Sequence, residues 1–180
     1  MAARRALRLG VLITALALAH AAPAAAQDCA GADVVAQGGK LGPATKATLC
    51  LVDVERAKTG LPALKAAGEL KKAAKGHSRD MVANRYFAHD SPGGSTILSR
   101  AKDAGYLNGV KAFVLRENIG WGGGKLSSPR EVVKAWMASA PHRLAILNPV
   151  LTEAGVGVAK GSPFGGPGAT YTLAFGMRRR

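Results

Sequence analysis

The chain has 180 residues, with 25 Lys+Arg against 11 Asp+Glu and a formal net charge of +14. That length leaves room for one ordinary domain after any targeting segment and argues against two. With 48% hydrophobic, 20% charged and 5% aromatic residues and two cysteines, the composition speaks against a disordered chain, a stacking platform for single-stranded nucleic acid, a disulfide-dense mini-scaffold and a four-thiolate metal site.

The first predicted element is an address. Arg4, Arg5 and Arg8 precede the apolar run from Gly10 to Ala19, and a stretch of small residues ends at Ala26. This layout predicts a secretory signal peptide over residues 1–26, with Ala24 and Ala26 before the cut. The apolar core is about half the ~20 residues of a spanning helix, so cleavage is expected over an uncleaved anchor. Asp28, ahead of Cys29, is the wrong residue for a lipoprotein signal, and no second stretch is long enough to span a membrane. Cleavage leaves 154 residues, 22 Lys+Arg against 11 acids, a charge of +11, and three histidines: His77, His89 and His142.

Residues 27–42 read as an irregular lead-in, with Gly38-Gly39 and Gly42-Pro43 as breakers. Outside a reducing cytosol, Cys29 and Cys50 predict one disulfide that pins this lead-in to the first helix. Closing a loop of about 20 residues in this way stabilises by on the order of 3 kcal/mol in the chain-entropy model. The main domain then occupies residues 43–180. A first helix is expected from about Pro43 to Lys58, stopping at Gly60-Leu61-Pro62. A second begins near Ala66 and carries Leu70, Ala73, Ala74, His77 and Met81 on one face. A short third runs from Ser95 or Thr96 to Ala104, with Gly105 as its stop.

Ser128-Pro129-Arg130-Glu131 is the clearest helix start, a reciprocal cap with proline at the first helical position. Val132, Val133, Trp136 and Met137 give that helix its buried face, and Pro141 interrupts it. After Asn148-Pro149 the period changes to two. Ala154, Val156 and Val158 alternate with glycines, and Tyr171, Leu173 and Phe175 alternate with polar or small residues, which predicts an antiparallel pair joined by the loop Gly161 to Gly168. The glycines leave one strand face bare for a closely packed helix. Helices first and strands last point to an α+β layered domain.

His89, Glu117 and His142 are the candidate chemistry, each beside an expected chain break. Two imidazoles and a carboxylate suit zinc with one open position, although no H-E-x-x-H pattern ties them together; separate surface and capping side chains are the alternative. His77, on an apolar stripe, reads as a hydrogen-bonded core histidine. No nucleophile elbow, phosphate loop or dinucleotide fingerprint is present. The basic residues are scattered, with Lys71, Lys72 and Lys75 on one helix and Arg178 to Arg180 at the tail. Export makes nucleic acid an unfavoured partner and puts wall polymers or anionic lipid surfaces within reach, against a merely solvated face.

Five motifs in order carry a resemblance. They are Ala74-x-x-His77-Ser78-Arg79-Asp80-Met81, Tyr86-Phe87-Ala88-His89-x-Ser91-Pro92, Glu117-Asn118-Ile119, Trp136-Met137-x-Ser139-x-x-His142-Arg143-x-x-Ile146-Leu147-Asn148-Pro149, and Gly155-Val156-Gly157-Val158 with the final strand to Phe175-Gly176. Together they resemble the CAP superfamily (cysteine-rich secretory proteins, antigen 5, pathogenesis-related 1) in its bacterial SCP-like secreted branch, from about Lys46 to Gly176. The resemblance implies a three-layer α-β-α sandwich with a small central antiparallel sheet. It also implies a cleft that in some members binds a divalent cation through two His and two Glu. His89, Glu117 and His142 match three of those positions, and Ser139 stands at the fourth, where a hydroxyl is a poor zinc ligand. The implied function is a secreted, monomeric, non-catalytic binding protein whose His89/Glu117/Ser139/His142 cleft takes a divalent metal such as zinc, a lipid, another small molecule or a cell-surface or wall ligand. The alternatives are a metal-assisted hydrolase of protein or cell-wall substrates, with Glu117 as ligand or general base, and a protein that adheres to surfaces through its charge.

Overall fold

A computed structural model of the chain describes residues 28–36 and 40–180; the predicted leader and the Gly38-Gly39 breaker lie outside them. The helices are α1 (Leu41–Ala57), α2 (Gly68–Ala83), α3 (Ile97–Asp103), α4 (Pro129–Ala138) and α5 (Ala140–Ile146). The strands are β1 (Lys65–Ala66), β2 (Ala112–Gly122), β3 (Glu153–Lys160) and β4 (Ala169–Arg179). No helix among the described residues is long and apolar enough to cross a membrane.

The helices follow local chemistry. In α1, Ala44, Ala47, Thr48, Leu51 and Val52 form the buried stripe, and the Thr48 hydroxyl donates to the Ala44 carbonyl at 2.8 Å, so its polarity is met inside the helix. The predicted Cys29–Cys50 disulfide is present, with its Cα atoms 5.8 Å apart. α2 starts at Gly68, two residues later than expected, because Lys65 and Ala66 pair with β3. α3 opens on a reciprocal cap: the Thr96 hydroxyl accepts from the Ser99 amide, and the Ser99 hydroxyl from the Thr96 amide. At the predicted start of α4 half of the reciprocal cap forms. Ser128 accepts from the Glu131 amide at 3.4 Å, while the Glu131 side chain turns to Lys134 at 3.8 Å. The break between α4 and α5 falls at Ser139, two residues ahead of Pro141.

The sheet corrects one expectation. Instead of a purely antiparallel pair it has four strands in the order β1-β3-β4-β2, with β1 parallel to β3. β3 pairs antiparallel to β4, and β2 pairs antiparallel to the other edge of β4 from Ala112↔Arg179 to Gly122↔Ala169. The predicted β3–β4 pair is therefore the centre of a mixed sheet. β2 escapes sequence reading because it does not alternate. Phe113, Arg116 and Trp121 are exposed while the neighbours Asn118 and Ile119 are both buried, the mixed pattern of an edge strand.

Each sheet face has its own core. On one face Val156, Val158, Tyr171, Leu173 and Phe175 meet Val52, Val132, Val133, Trp136 and Ile146 of α1, α4 and α5. On the other face Ala174 meets Leu70, Ala74, Ala101 and Tyr106 of the α2–α3 side. The result is the α-β-α sandwich. The α2 side is thin because α2 lies almost on the sheet backbone. A Cβ on Gly155 would come 2.0 Å from the Lys71 nitrogen, and one on Gly157 would come 2.2 Å from the Lys75 nitrogen. The Ser78 hydroxyl locks this contact, 3.2 Å from the Gly157 carbonyl and 2.8 Å from the Thr172 hydroxyl.

Arg56 is a feature no motif announces. Only 1% exposed, it donates to the carbonyls of Pro62, Ile146, Asn148 and Leu151 at 2.8–3.1 Å. One guanidinium thus joins the end of α1 to the chain that leaves α5 through four backbone carbonyls.

Candidate functional site

The sequence pattern puts Glu117 beside a chain break; in the structure it sits in the middle of β2, opposite Ala174. Its carboxylate is only 3% exposed, and both oxygens have partners. Oε1 accepts from His89 Nδ1 at 2.9 Å, and Oε2 accepts from Arg100 Nη2 at 2.9 Å. Arg100, on α3, also donates to the His89 carbonyl and the Ser95 carbonyl, both at 2.9 Å. It therefore holds the loop carrying His89 as well as the carboxylate. Nothing in the sequence marks Arg100; the available signal is one arginine on a short, well-capped helix following the His89 loop.

His77 is buried, as expected, with Nε2 donating to the Ala88 carbonyl at 3.0 Å. The same nitrogen lies 3.8 Å from Glu117 Oε1, so this core histidine is also part of the carboxylate's surroundings. Burial lowers the His77 pKa, with Glu117 opposing that shift. His89 is half exposed and goes the other way: its hydrogen bond to Glu117 raises its pKa despite partial burial. His142 is pushed down, first by burial and then by the charge of His89.

The structure pairs His89 with Glu117 by a hydrogen bond, and the His142 ring makes none to either. The Asn118 side chain fixes the His142 backbone carbonyl at 3.0 Å. The imidazole Nδ1 of His142 is buried with no hydrogen-bond partner. Ser139 occupies the capping position of α5, yet its hydroxyl makes no capping bond. Both residues border a groove of about 530 Å³ between β2 and α4, with Ile119, Val132, Ala135 and Trp136 along it and Phe87, Trp121 and Leu126 toward its outer end. This volume lies within the range of roughly 300–1,000 Å³ common for small-ligand pockets. The groove is mainly apolar, and the unpartnered groups of Ser139 and His142 supply its polar end.

The CAP family, described as the cysteine-rich secretory protein family, matches residues 49–175. This chain belongs to it. The CAP domain here is 40% identical over 107 residues to YkwD, an uncharacterized protein of Bacillus subtilis (strain 168), covering 59% of this chain and 39% of that protein. It is 35% identical over 113 residues to YlbC, an uncharacterized membrane protein of the same organism, covering 63% of this chain and 31% of YlbC. The chain thus spans well under half the length of these curated relatives. Among solved structures, an extracellular protein containing a SCP domain from Bacillus anthracis str. Ames has a TM-score of 0.64 at 29% identity, covering 77% of this chain and 41% of that one. An outer surface protein from Borrelia burgdorferi shares the fold with a TM-score of 0.60 at 23% identity, covering 73% of this chain and 90% of its own.

The cation implied by some CAP members does not fit this arrangement of side chains. Both Glu117 oxygens are engaged, one of them by a guanidinium that already supplies positive charge. Among the described residues, no group of three His, Cys, Asp or Glu side chains is arranged to hold a metal ion. What Glu117 does here is orient His89 and anchor α3 through Arg100.

Proposed function

We propose that this CAP domain is an exported, non-catalytic binding protein, and that its ligand lies in the β2–α4 groove with a polar group against Ser139 and His142. The observation that carries this reading is the apolar groove itself, with the Ser139 hydroxyl free of any capping bond and the His142 ring among its lining. The ligand class this favours is a small amphiphile, or a segment of a surface polymer, with an apolar body and one hydrogen-bonding group. Export is supported by the Arg4/Arg5/Arg8 leader pattern and by the disulfide, which belongs to an oxidising compartment.

The hydrolase alternative would have Glu117 take a metal or a proton on oxygens already hydrogen-bonded to His89 and to the Arg100 guanidinium, whose positive charge disfavours both. Native mass spectrometry of the mature protein tests the binding reading. A copurifying small molecule should disappear in Ala135→Trp, which fills the groove, and weaken in Ser139→Ala/His142→Ala, while His89→Ala retains it. Retention in Ala135→Trp would refute the groove as its location. Zinc calorimetry on wild type and on His89→Ala/His142→Ala is expected to show no site in either; heat that vanishes only in the variant would restore the metal reading.

A further inference from the structure

The groove carries a second feature, a cluster of exposed apolar side chains that its lining shares with the β3–β4 connection. Phe164 is 64% exposed, Leu126 63%, Trp121 43% and Phe87 36%. They form one patch: the Phe164 ring lies 5.3 Å from that of Trp121 and 6.4 Å from that of Phe87, and Leu126 borders the same groove. Four turns of the fold contribute, namely the chain after α2, the end of β2, the 3-10 turn Gly124–Ser127 and the β3–β4 connection.

Phe164 is held in water by an ordered turn. The Ser162 hydroxyl accepts from the Phe164 amide at 3.1 Å, and the backbone bonds Ser162–Gly166, Gly165–Ser162 and Gly161–Gly168 close the loop. Gly165 and Gly166 take φ values of 90° and 86°, which other residues adopt only with strain. A loop built this way holds an aromatic side chain outward that the fold's own core does not use. Contiguous exposed apolar side chains of this kind mark interaction surfaces.

The charges around the patch define its partner. Arg85 lies two residues before Phe87, Lys125 immediately before Leu126, Lys160 at the end of β3 before the Phe164 turn, and Lys134 borders the groove. All four are exposed. Arg85, Lys125 and Lys160 have no ion-pair partner among the described residues, and Lys134 is 3.8 Å from Glu131, the acid of the groove. Exposed aromatic and aliphatic tips with exposed cations on the same chain segments and along the groove, on a chain of net charge +11 after cleavage, complement an anionic bilayer. The tips enter the acyl boundary while the cations meet lipid phosphates.

We infer that this face docks reversibly on anionic phospholipid bilayers through Phe164, Leu126 and Trp121, with Arg85, Lys125, Lys134 and Lys160 against the headgroups. The test uses the mature protein with vesicles of phosphatidylcholine alone or mixed with phosphatidylglycerol. Trp121 is a built-in reporter, because Trp136, the other of two tryptophans, is buried. Cosedimentation and a blue shift in tryptophan emission are expected on the anionic vesicles and not on the neutral ones, and raising salt to about 0.5 M should weaken both. Phe164→Ser/Leu126→Ser should lower partitioning by at least about tenfold, and Lys125→Glu/Lys160→Glu by a similar factor. All four positions are exposed, and circular dichroism checks that the variants stay folded. No partitioning onto anionic vesicles would overturn the inference. So would equal partitioning of wild type and the Phe164/Leu126 variant, or retention on purified wall polymer without any on vesicles.

Discussion

The buried carboxylate of Glu117 is matched with near-complete economy, and each partner can be tested singly. Removing Arg100 leaves a carboxylate that is 3% exposed with one oxygen unpaired. Breaking a buried pair from one side costs about 3–5 kcal/mol, whereas neutralising both sides costs much less. Arg100→Leu should therefore lower the urea-unfolding free energy by about 3 kcal/mol, and Arg100→Leu/Glu117→Gln should recover a substantial part of it. Additive losses in that double-mutant cycle would mean that the two side chains do not act as a pair.

The three histidines among the described residues make a second residue-scale prediction. NMR titration of chelator-treated protein should place His89 above the ordinary imidazole pKa of about 6.5, and His77 and His142 below it. The consequences for stability have opposite signs. His89 contributes stability that is fully present below its unfolded pKa and is lost as pH rises through its elevated folded value. His77 and His142 contribute stability present above the unfolded value and lost as pH falls toward their depressed ones. The melting temperature of His89→Ala should therefore lose part of its alkaline decline and keep its acid one.

At the scale of elements, glycine in β3 and glycine in α2 answer to different rules. Gly157→Ala would drive a methyl group into the α2 backbone, and overpacking of this kind costs about 3 kcal/mol. Gly76, inside α2, has nothing within 4 Å of an added Cβ, so Gly76→Ala should stabilise by about 1 kcal/mol through helix propensity alone. Equal effects of the two substitutions in denaturant melts would refute the close α2–β3 approach. This approach is legible in the sequence, because a strand that alternates Val with Gly leaves one face bare. The stripes of α1, α2 and α4 are legible for the same reason: periodicity records burial. β2 is not, since an edge strand with one foot in each core has no single period, and its pattern puts Glu117 beside a chain break. Arg100 and Arg56 are illegible for a different reason. Their partners are a carboxylate and carbonyls brought near only by the tertiary fold, and a lone arginine leaves no pattern. Of the site, the identities of His89, Glu117, Ser139 and His142 are readable, and their division into a closed pair and an open groove end is not.

Across the whole molecule, the Cys29–Cys50 link adds a covalent tie to an irregular lead-in whose Ala32 and Ala36 are buried against the layer of α1, α4 and α5. Replacing both cysteines with serine should cost about 3 kcal/mol in urea melts. It should loosen residues 28–36 in hydrogen exchange before the sheet; simultaneous loss of protection throughout would show that the lead-in belongs to the main cooperative unit.

The position of β4 in the sheet has a consequence for how the molecule comes into being. β4 pairs with β3 on one side and β2 on the other, and its alternate residues enter both cores, yet it is the last element in chain order. Neither layer can close until that strand arrives, so the chain emerging from synthesis has helices without a sheet to rest on. Such topologies, dominated by distant pairings, fold late and comparatively slowly.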